Sequence, residues 1–176
     1  MNESINKNNV GYSLSGSEIL KLLDNNCNLV QYSELHSIKS IDDLLGVHKK
    51  CILLYHTSLE YGHWVCVWEH NNTIFFFDSY GLVPDNELKF LIPIDLKKEL
   101  NSNHRYLTEL LYNSGKKVEY NQYKLQKKNG DITTCGKWCV NRLRFPEISV
   151  EEYHNIFKEA SKYIQNDKLI CLLVQL

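Results

Sequence analysis

With 176 residues, 43% hydrophobic and 11% aromatic, the chain is long enough to bury one substantial core, so we expect a single domain over residues 1–176. A formal net charge of −1 argues against binding nucleic acid through bulk surface electrostatics. The longest apolar runs, such as 74–77 and 169–174, are too short to cross a bilayer. The polar residues 1–10 predict a loose terminus without a secretory signal.

The cysteine content is compatible with two redox states. Six cysteines, an even number, could form three disulfides, and they stand at positions 27, 51, 66, 135, 139 and 171. A domain of this size needs no covalent cross-links, and no secretory signal is predicted. We therefore expect reduced thiols in a cytosol-like compartment.

The first half of the chain predicts one helix and then a group of strands. Apolar spacing over 18–24 indicates a short helix capped by Ser15 or Ser17, and 42–45 suits a helical turn. Runs rich in β-forming residues predict strands over 51–55, 64–68 and 73–77. A turn at Asn71-Asn72 would join the last two as a hairpin. Their near-continuous hydrophobicity indicates a sheet that is covered on both faces.

The second half predicts mainly helices. Helices are expected over 103–112, 136–145 and from Ser149 to about Gln165, the last opened by a Ser149–Glu152 capping box. Alternating residues predict a strand over 118–126, a polar loop over 127–134 and a final strand over 168–174. This order indicates an α+β fold with a central mixed or antiparallel sheet flanked by helices.

Cys135 is the candidate nucleophile. It precedes Gly136 at the start of a predicted helix, where unsatisfied backbone N–H groups stabilise an anion, and the glycine would let a substrate approach closely. Most free cysteines are simply small buried hydrophobic residues, which is the competing interpretation. Cys139, one helical turn further on, is expected to pack in the core.

His63 and Asp78 are the candidate base and its orienting acid. An imidazole can accept the thiol proton and later protonate a leaving amine. In a hairpin that turns near residues 71–72, the start of the first strand and the end of the second come together, which predicts contact between His63 and Asp78. Asp78 could equally serve to begin the turn that follows it. Six further histidines compete for the role of base, at positions 36, 48, 56, 70, 104 and 154.

Acyl transfer also needs hydrogen-bond donors for an oxyanion. The backbone N–H of Cys135 is one candidate, and the side-chain amide of Gln126 or Gln122 is the second. Four residues apart on one predicted strand, the two glutamines would face the same way. Gln126 is favoured because it is closer to the loop that leads into Cys135.

The order of these motifs over about 50–145 resembles that of the adenovirus-protease and SUMO-protease superfamily of cysteine peptidases. The matching features are His63-Trp64, the D-S-Y-G run at 78–81, Gln126, and the T-C-G-K-W-C run at 134–139. The D-S-Y-G and T-C-G-K-W-C runs are most similar to those of the maturation proteases of adenoviruses, virophages and polinton-like elements. The resemblance implies a Cys-His-Asp triad with the nucleophile at the N-terminus of a central helix.

The same resemblance implies function and partners. Such enzymes cleave viral capsid precursors, often after small residues such as Gly, and some use an activating peptide. Enzymes of the adenovirus type can use DNA as a cofactor, but this chain lacks their overall basicity, so we expect no DNA dependence. We also expect no other cofactor, no metal, no membrane association and a monomer that acts in the virion and in the host cytoplasm or viral factory. Trp64 and Gly136 are expected to line the substrate groove; Trp64 could equally be a core aromatic residue.

Other functions remain open at this stage. The same scaffold can deconjugate ubiquitin-like modifiers or transfer acetyl groups, although no basic phosphate cradle for acetyl-CoA is evident. A zinc-binding interaction domain would use the pairs Cys66/His70 and Cys135/Cys139. An inactive scaffold that only binds partners is the third alternative.

Overall fold

The computed structural model describes residues 6–100 and 102–176, which form five strands and eight α-helices. The strands are β1 (Asn28–Gln31), β2 (Lys50–His56), β3 (Gly62–His70), β4 (Thr73–Phe77) and β5 (Lys117–Tyr120). The helices are α1 (Gly16–Leu22), α2 (Ile41–Leu45), α3 (Glu87–Phe90), α4 (Ile94–Glu99), α5 (Tyr106–Asn113), α6 (Cys135–Arg144), α7 (Val150–Ala160) and α8 (Asn166–Leu173). A 3-10 helix spans Tyr32–Ser37.

The strands form one mixed sheet in the order β1-β2-β3-β4-β5. The three central strands are antiparallel, whereas β1 runs parallel to β2 and β5 runs parallel to β4. The predicted hairpin between β3 and β4 is confirmed, with His70 paired to Thr73. Its turn residues Asn71 and Asn72 both have left-handed φ angles, of 48° and 59°, which asparagine tolerates better than most residues.

Both faces of the sheet are covered, as the continuous hydrophobicity of the strands predicts. Along β3, Trp64, Cys66 and Trp68 belong to one core, while Val65 and Val67 belong to the other. The first core includes residues of α1, α6, α7 and α8, and the second includes residues of α2 through α5. Helix α6 packs across β3, so it is the central helix of an α+β fold.

The predicted final strand over 168–174 is wrong, because these residues lie mostly in helix α8. Ile170, Cys171 and Val174 are buried, whereas Leu172 and Leu173 are largely exposed. Burial at positions i, i+1 and i+4 is the periodicity of a helix. A short apolar run does not by itself distinguish a buried strand from one face of a helix.

The predicted strand over 118–126 is also too long, since β5 ends at Tyr120. The next side chain, that of Asn121, donates hydrogen bonds from Nδ2 to the carbonyl oxygens of Asp78 and Tyr123, at 2.7 and 2.9 Å. These bonds turn the chain away from the sheet. The segment after Asn121 therefore approaches the end of β4 as a loop.

The predicted helices form, with shifted ends. Ser15 caps α1 in a capping box, and Ser149 caps α7 by accepting a hydrogen bond from a backbone N–H. Helix α5 begins at Tyr106 rather than at 103, and α7 ends at Ala160 rather than near 165. Helix boundaries depend on local capping contacts that propensity alone does not specify.

The described part of the predicted loose terminus is anchored. Nζ of Lys137, on the central helix, donates to the carbonyl oxygens of Lys7 and Asn9 at 3.0 and 2.9 Å. The N–H of Thr133 donates to the carbonyl of Val10 at 2.9 Å. The other part of that terminus, residues 1–5, lies outside the described residues.

All six cysteines are free and buried. Within 6–100 and 102–176, none of the helices combines the length and apolar character needed to cross a membrane.

Candidate active site

Cys135 is the first residue of α6, and a buried carboxylate holds the start of that helix in place. Oδ1 of Asp167 accepts hydrogen bonds from the hydroxyl of Thr134 at 2.7 Å and from Nε1 of Trp138 at 3.2 Å. Oδ2 accepts from the backbone N–H of Lys127 at 3.0 Å. Helix α8 thus fixes the loop before Cys135 and the first turn after it.

His63 and Asp78 lie in direct contact at the open end of the hairpin. Nε2 of His63 donates to Oδ1 of Asp78 at 2.9 Å, and the same oxygen accepts from the backbone N–H of Tyr80 at 2.7 Å. Both side chains are buried. The contact predicted from the hairpin geometry is therefore confirmed.

The pKa of His63 is raised well above 6.5. Burial alone would lower it, because desolvation penalises the imidazolium ion. The charge and the hydrogen bond of Asp78 act in the opposite direction, and so do the hydrogen bond and charge of Cys135. Since Asp78 takes Nε2, Nδ1 is the ring nitrogen left for the sulfur. The surroundings of His63 therefore favour its protonated, imidazolium form.

The Gln126 side chain lies in the same cleft as His63 and Cys135. Its Oε1 accepts a hydrogen bond from the Ser79 hydroxyl at 2.7 Å, while Nε2 donates to the Ile132 carbonyl at 3.3 Å. Nε2 also donates to the Tyr80 hydroxyl at 3.4 Å, so both N–H groups of the amide have long bonds that a substrate oxygen would replace. Donors in this position could bind a developing oxyanion.

Gln122 lies elsewhere. Its side chain is exposed and lines a different depression together with Tyr123 and Ser149. The expectation that Gln122 and Gln126 face the same way is wrong, because the chain leaves the sheet at Asn121 and the two glutamines do not share a strand.

The cleft has a volume of about 330 Å³. The residues that line it include Ser13, Gly62, His63, Tyr80, Gln126, Ile132 and Cys135. A second cavity of about 460 Å³ adjoins it and shares Ser13, Tyr61 and Gly62. Cys135 lines the first of these cavities but not the second. Two neighbouring cavities of this size have room for part of an extended peptide.

The two residues predicted to line the substrate groove have mainly packing contacts. Trp64 belongs to the core and borders the second cavity, and its Nε1 donates to the Leu14 carbonyl at 3.0 Å. A Cβ at Gly136 would lie 3.2 Å from atoms of Leu14, Ile19 and Trp64. The glycine therefore lets the N-terminal segment and α1 approach α6 closely.

Several contacts in the site are not evident from sequence patterns. The Tyr80 ring stacks on the His63 imidazole, with centroids 4.6 Å apart and planes within 9°. Ser79 orients Gln126, and Asp167 holds the loop before Cys135. Ser79 and Tyr80 directly follow Asp78 in the D-S-Y-G run, and this run is the sequence signal that places them near the site. Asp167 gives no comparable signal, because it stands next to an apolar run that also fits a strand.

Metal ligands do not converge on the candidate pairs. Within the described ranges, no three or more His, Cys, Asp or Glu side chains are grouped as a metal ion would require. The sequence pairs Cys66/His70 and Cys135/Cys139 therefore gain no third ligand there.

Comparison with known proteins identifies the fold. No family model matches the chain. The pS273R protease of ASFV aligns with a TM-score of 0.50 and 15% identity, covering 97% of this chain and 70% of that one. The SUMO protease Ulp1 aligns with a TM-score of 0.40 and 14% identity, covering 99% and 87%. The chain has the α+β fold of the pS273R protease, which confirms the predicted fold class.

A sequence relative identifies the family. "Uncharacterized protein V9" of the Sputnik virophage is 38% identical over 164 residues, which are 92% of this chain and 93% of that protein. The chain belongs to the family of this virophage protein.

Proposed function

We propose that this protein is a cysteine endopeptidase that hydrolyses peptide bonds with Cys135, His63 and Asp78. The observation that carries the proposal is the meeting of a thiol, an imidazole and an amide in one cleft, with a buried carboxylate bonded to the imidazole. This is the arrangement of groups that nucleophilic acyl transfer requires. A fold shared with a viral protease supports the same proposal.

In the first half of the reaction, Nδ1 of His63 takes the proton of the Cys135 thiol. The thiolate attacks the scissile carbonyl, a C–S bond forms, and the carbonyl oxygen becomes an oxyanion. Nε2 of Gln126 and the backbone N–H of Cys135 donate hydrogen bonds to that oxygen. Asp78 holds the imidazole through Nε2, so that Nδ1 stays directed at the sulfur.

In the second half, His63 gives its proton to the amide nitrogen, the C–N bond breaks and the amine leaves. A water molecule then loses a proton to His63 and attacks the thioester carbon. The C–S bond breaks, the carboxylic acid product leaves, and the proton returns to the sulfur of Cys135. Atoms and charge balance without any cofactor.

We further propose that the substrate is a viral capsid precursor. Support comes from the virophage origin of the 38%-identical relative and from the fold shared with a viral protease. Resemblance to the maturation proteases implies cleavage after small residues such as glycine. In the same proposal, the enzyme acts as a monomer in a reducing compartment.

The experiment compares the wild-type protein with Cys135→Ala and Cys27→Ala on a purified capsid precursor. The two cysteines are matched in burial, with 5% and 6% of their surface exposed, but Cys27 lies outside the cleft. We expect cleavage by wild type and Cys27→Ala and none by Cys135→Ala. Equal cleavage by wild type and Cys135→Ala would refute the nucleophile. A rhodamine-tagged ubiquitin tail in parallel separates precursor processing from deconjugation.

A further inference from the structure

A second buried carboxyl lies next to the candidate triad. Glu87, the first residue of α3, is completely buried, and so is Asp78. Asp78 raises the pKa of Glu87 both by its charge and by a hydrogen bond, so the two side chains are neighbours. Within the described part of the chain, neither oxygen of Glu87 nor Oδ2 of Asp78 accepts a hydrogen bond from any N–H or O–H group.

Two neighbouring carboxyl groups can form a hydrogen bond with each other only if one of them carries a proton. Asp78 already accepts two N–H hydrogen bonds at Oδ1, from His63 and from Tyr80, while its Oδ2 has no donor. The backbone N–H of Glu87 favours the charged form of its own carboxyl group, but burial and Asp78 outweigh that contact. Glu87 is therefore the group that can donate an O–H to Oδ2 of Asp78.

The surroundings of Glu87 agree with a neutral side chain. Burial raises the pKa of Glu87 well above its usual value, and the charge and hydrogen bond of Asp78 raise it further. The charge of His63 lowers the pKa of Glu87, but not enough to bring it back to its usual value. On the β2 side, Tyr55 faces Glu87, and its hydroxyl donates at 3.0 Å to Asp85 rather than to Glu87.

We propose that Glu87 is a positioning residue, which in its neutral form donates an O–H hydrogen bond to Oδ2 of Asp78 and so fixes the acid against His63. This inference rests on the proposed function. With donors at both of its oxygens, the Asp78 carboxylate cannot rotate away from Nε2 of His63. Glu87 itself does not line the cleft that contains Cys135.

The test uses Glu87→Gln, which keeps the length of the side chain and an N–H donor, and Glu87→Met, which keeps the length alone. We expect kcat/KM for peptide cleavage to fall about 10- to 100-fold in Glu87→Met, because small displacements of catalytic groups have effects of that size. Glu87→Gln should recover most of this loss. A merely space-filling role would give equal rates in both variants and would overturn the proposal.

Infrared spectroscopy tests the proton directly. At neutral pH the wild-type protein should show the carbonyl band of a protonated carboxylic acid, and the folded Glu87→Gln variant should lack it. A band that persists in Glu87→Gln would overturn the proposal, as would its absence from wild type.

A third measurement separates this inference from the proposed peptidase activity. The pH profile of Cys135 alkylation by iodoacetamide reports the ion pair with His63 and needs no substrate. We expect an altered profile in Glu87→Met and a near-normal one in Glu87→Gln. If wild type cleaves no peptide but this pattern appears, Glu87 still positions the pair and only the peptidase proposal fails. Identical profiles in all three proteins would overturn the role of Glu87.

Discussion

Gly62 is the position where one added methyl group should do most harm to the site. A Cβ there would lie 2.7 Å from the backbone carbonyl oxygen of Tyr55 and 2.4 Å from Cδ1 of Leu54. The carbonyl belongs to the neighbouring strand β2 and cannot move without breaking the pairing of β2 with β3. We therefore expect Gly62→Ala to lower the free energy of unfolding by about 1–3 kcal/mol, as overpacking does in other cores.

The effect on catalysis should exceed the effect on stability. His63 follows Gly62 directly, so a shifted strand end moves the imidazole away from Asp78, now 2.9 Å away. A misplacement of about 1 Å corresponds to a loss of about 100-fold in kcat/KM.

Urea unfolding and peptide cleavage measure the two effects of Gly62→Ala. Gly130→Ala is the stability control, because a Cβ there meets nothing within 4 Å, and it should stay within about 0.5 kcal/mol of wild type. Gly62→Ala could instead unfold at the same urea concentration as Gly130→Ala and cleave peptide at the wild-type rate. That result would show that the close packing of Gly62 against β2 does not position His63.

Three further substitutions probe separate contacts. Asp78→Ala removes the partner of Nε2 of His63 and should lower kcat about 100-fold or more in the cleavage assay, with full activity counting against the triad. Burial would raise the pKa of Glu18, yet the hydrogen bond from Lys7 and its other bonds lower it from 4.5 to about 2. The stabilisation from the charged Glu18 is therefore present above pH 4.5 and lost as the pH falls towards 2. We expect Glu18→Gln to lower the free energy of unfolding in urea by about 1–2 kcal/mol at pH 7 and by less in acid. A difference from wild type that stays constant with pH would contradict this. Asp167→Ala leaves three donors without their acceptor, two of them on the buried residues Thr134 and Trp138, and should cost about 2–4 kcal/mol in urea unfolding, which an unchanged midpoint would disprove.

The elements predicted best from the sequence are those set by local patterns. Strands β2, β3 and β4 are short β-forming runs, and the Asn71-Asn72 turn specifies the hairpin between two of them. Because a hairpin fixes which residues face each other, the contact of His63 with Asp78 follows from the turn alone. The position of the candidate nucleophile Cys135 at a helix start is also predicted by a local signal.

The features that sequence patterns miss depend on distant contacts. The turn that separates Gln122 from Gln126 is made by Asn121 bonding to Asp78, 43 residues earlier. Apolar residues around Ile170 fit a strand as well as a helix until a core is there to bury one side of them. Glu87 carries no motif, since its role arises only where two buried carboxyls meet.

The anchoring of the N-terminal segment affects when the site can assemble during synthesis. Lys137 binds the carbonyl of Lys7, 130 residues away, from the same helix that carries the sulfur. Asp167 braces that helix from still further along the chain. A nascent polypeptide therefore lacks these supporting contacts until Asp167 has left the ribosome, and such long-range closure is slow. Under the proposed function, copies that end before Asp167 should be unable to cleave the proteins around them.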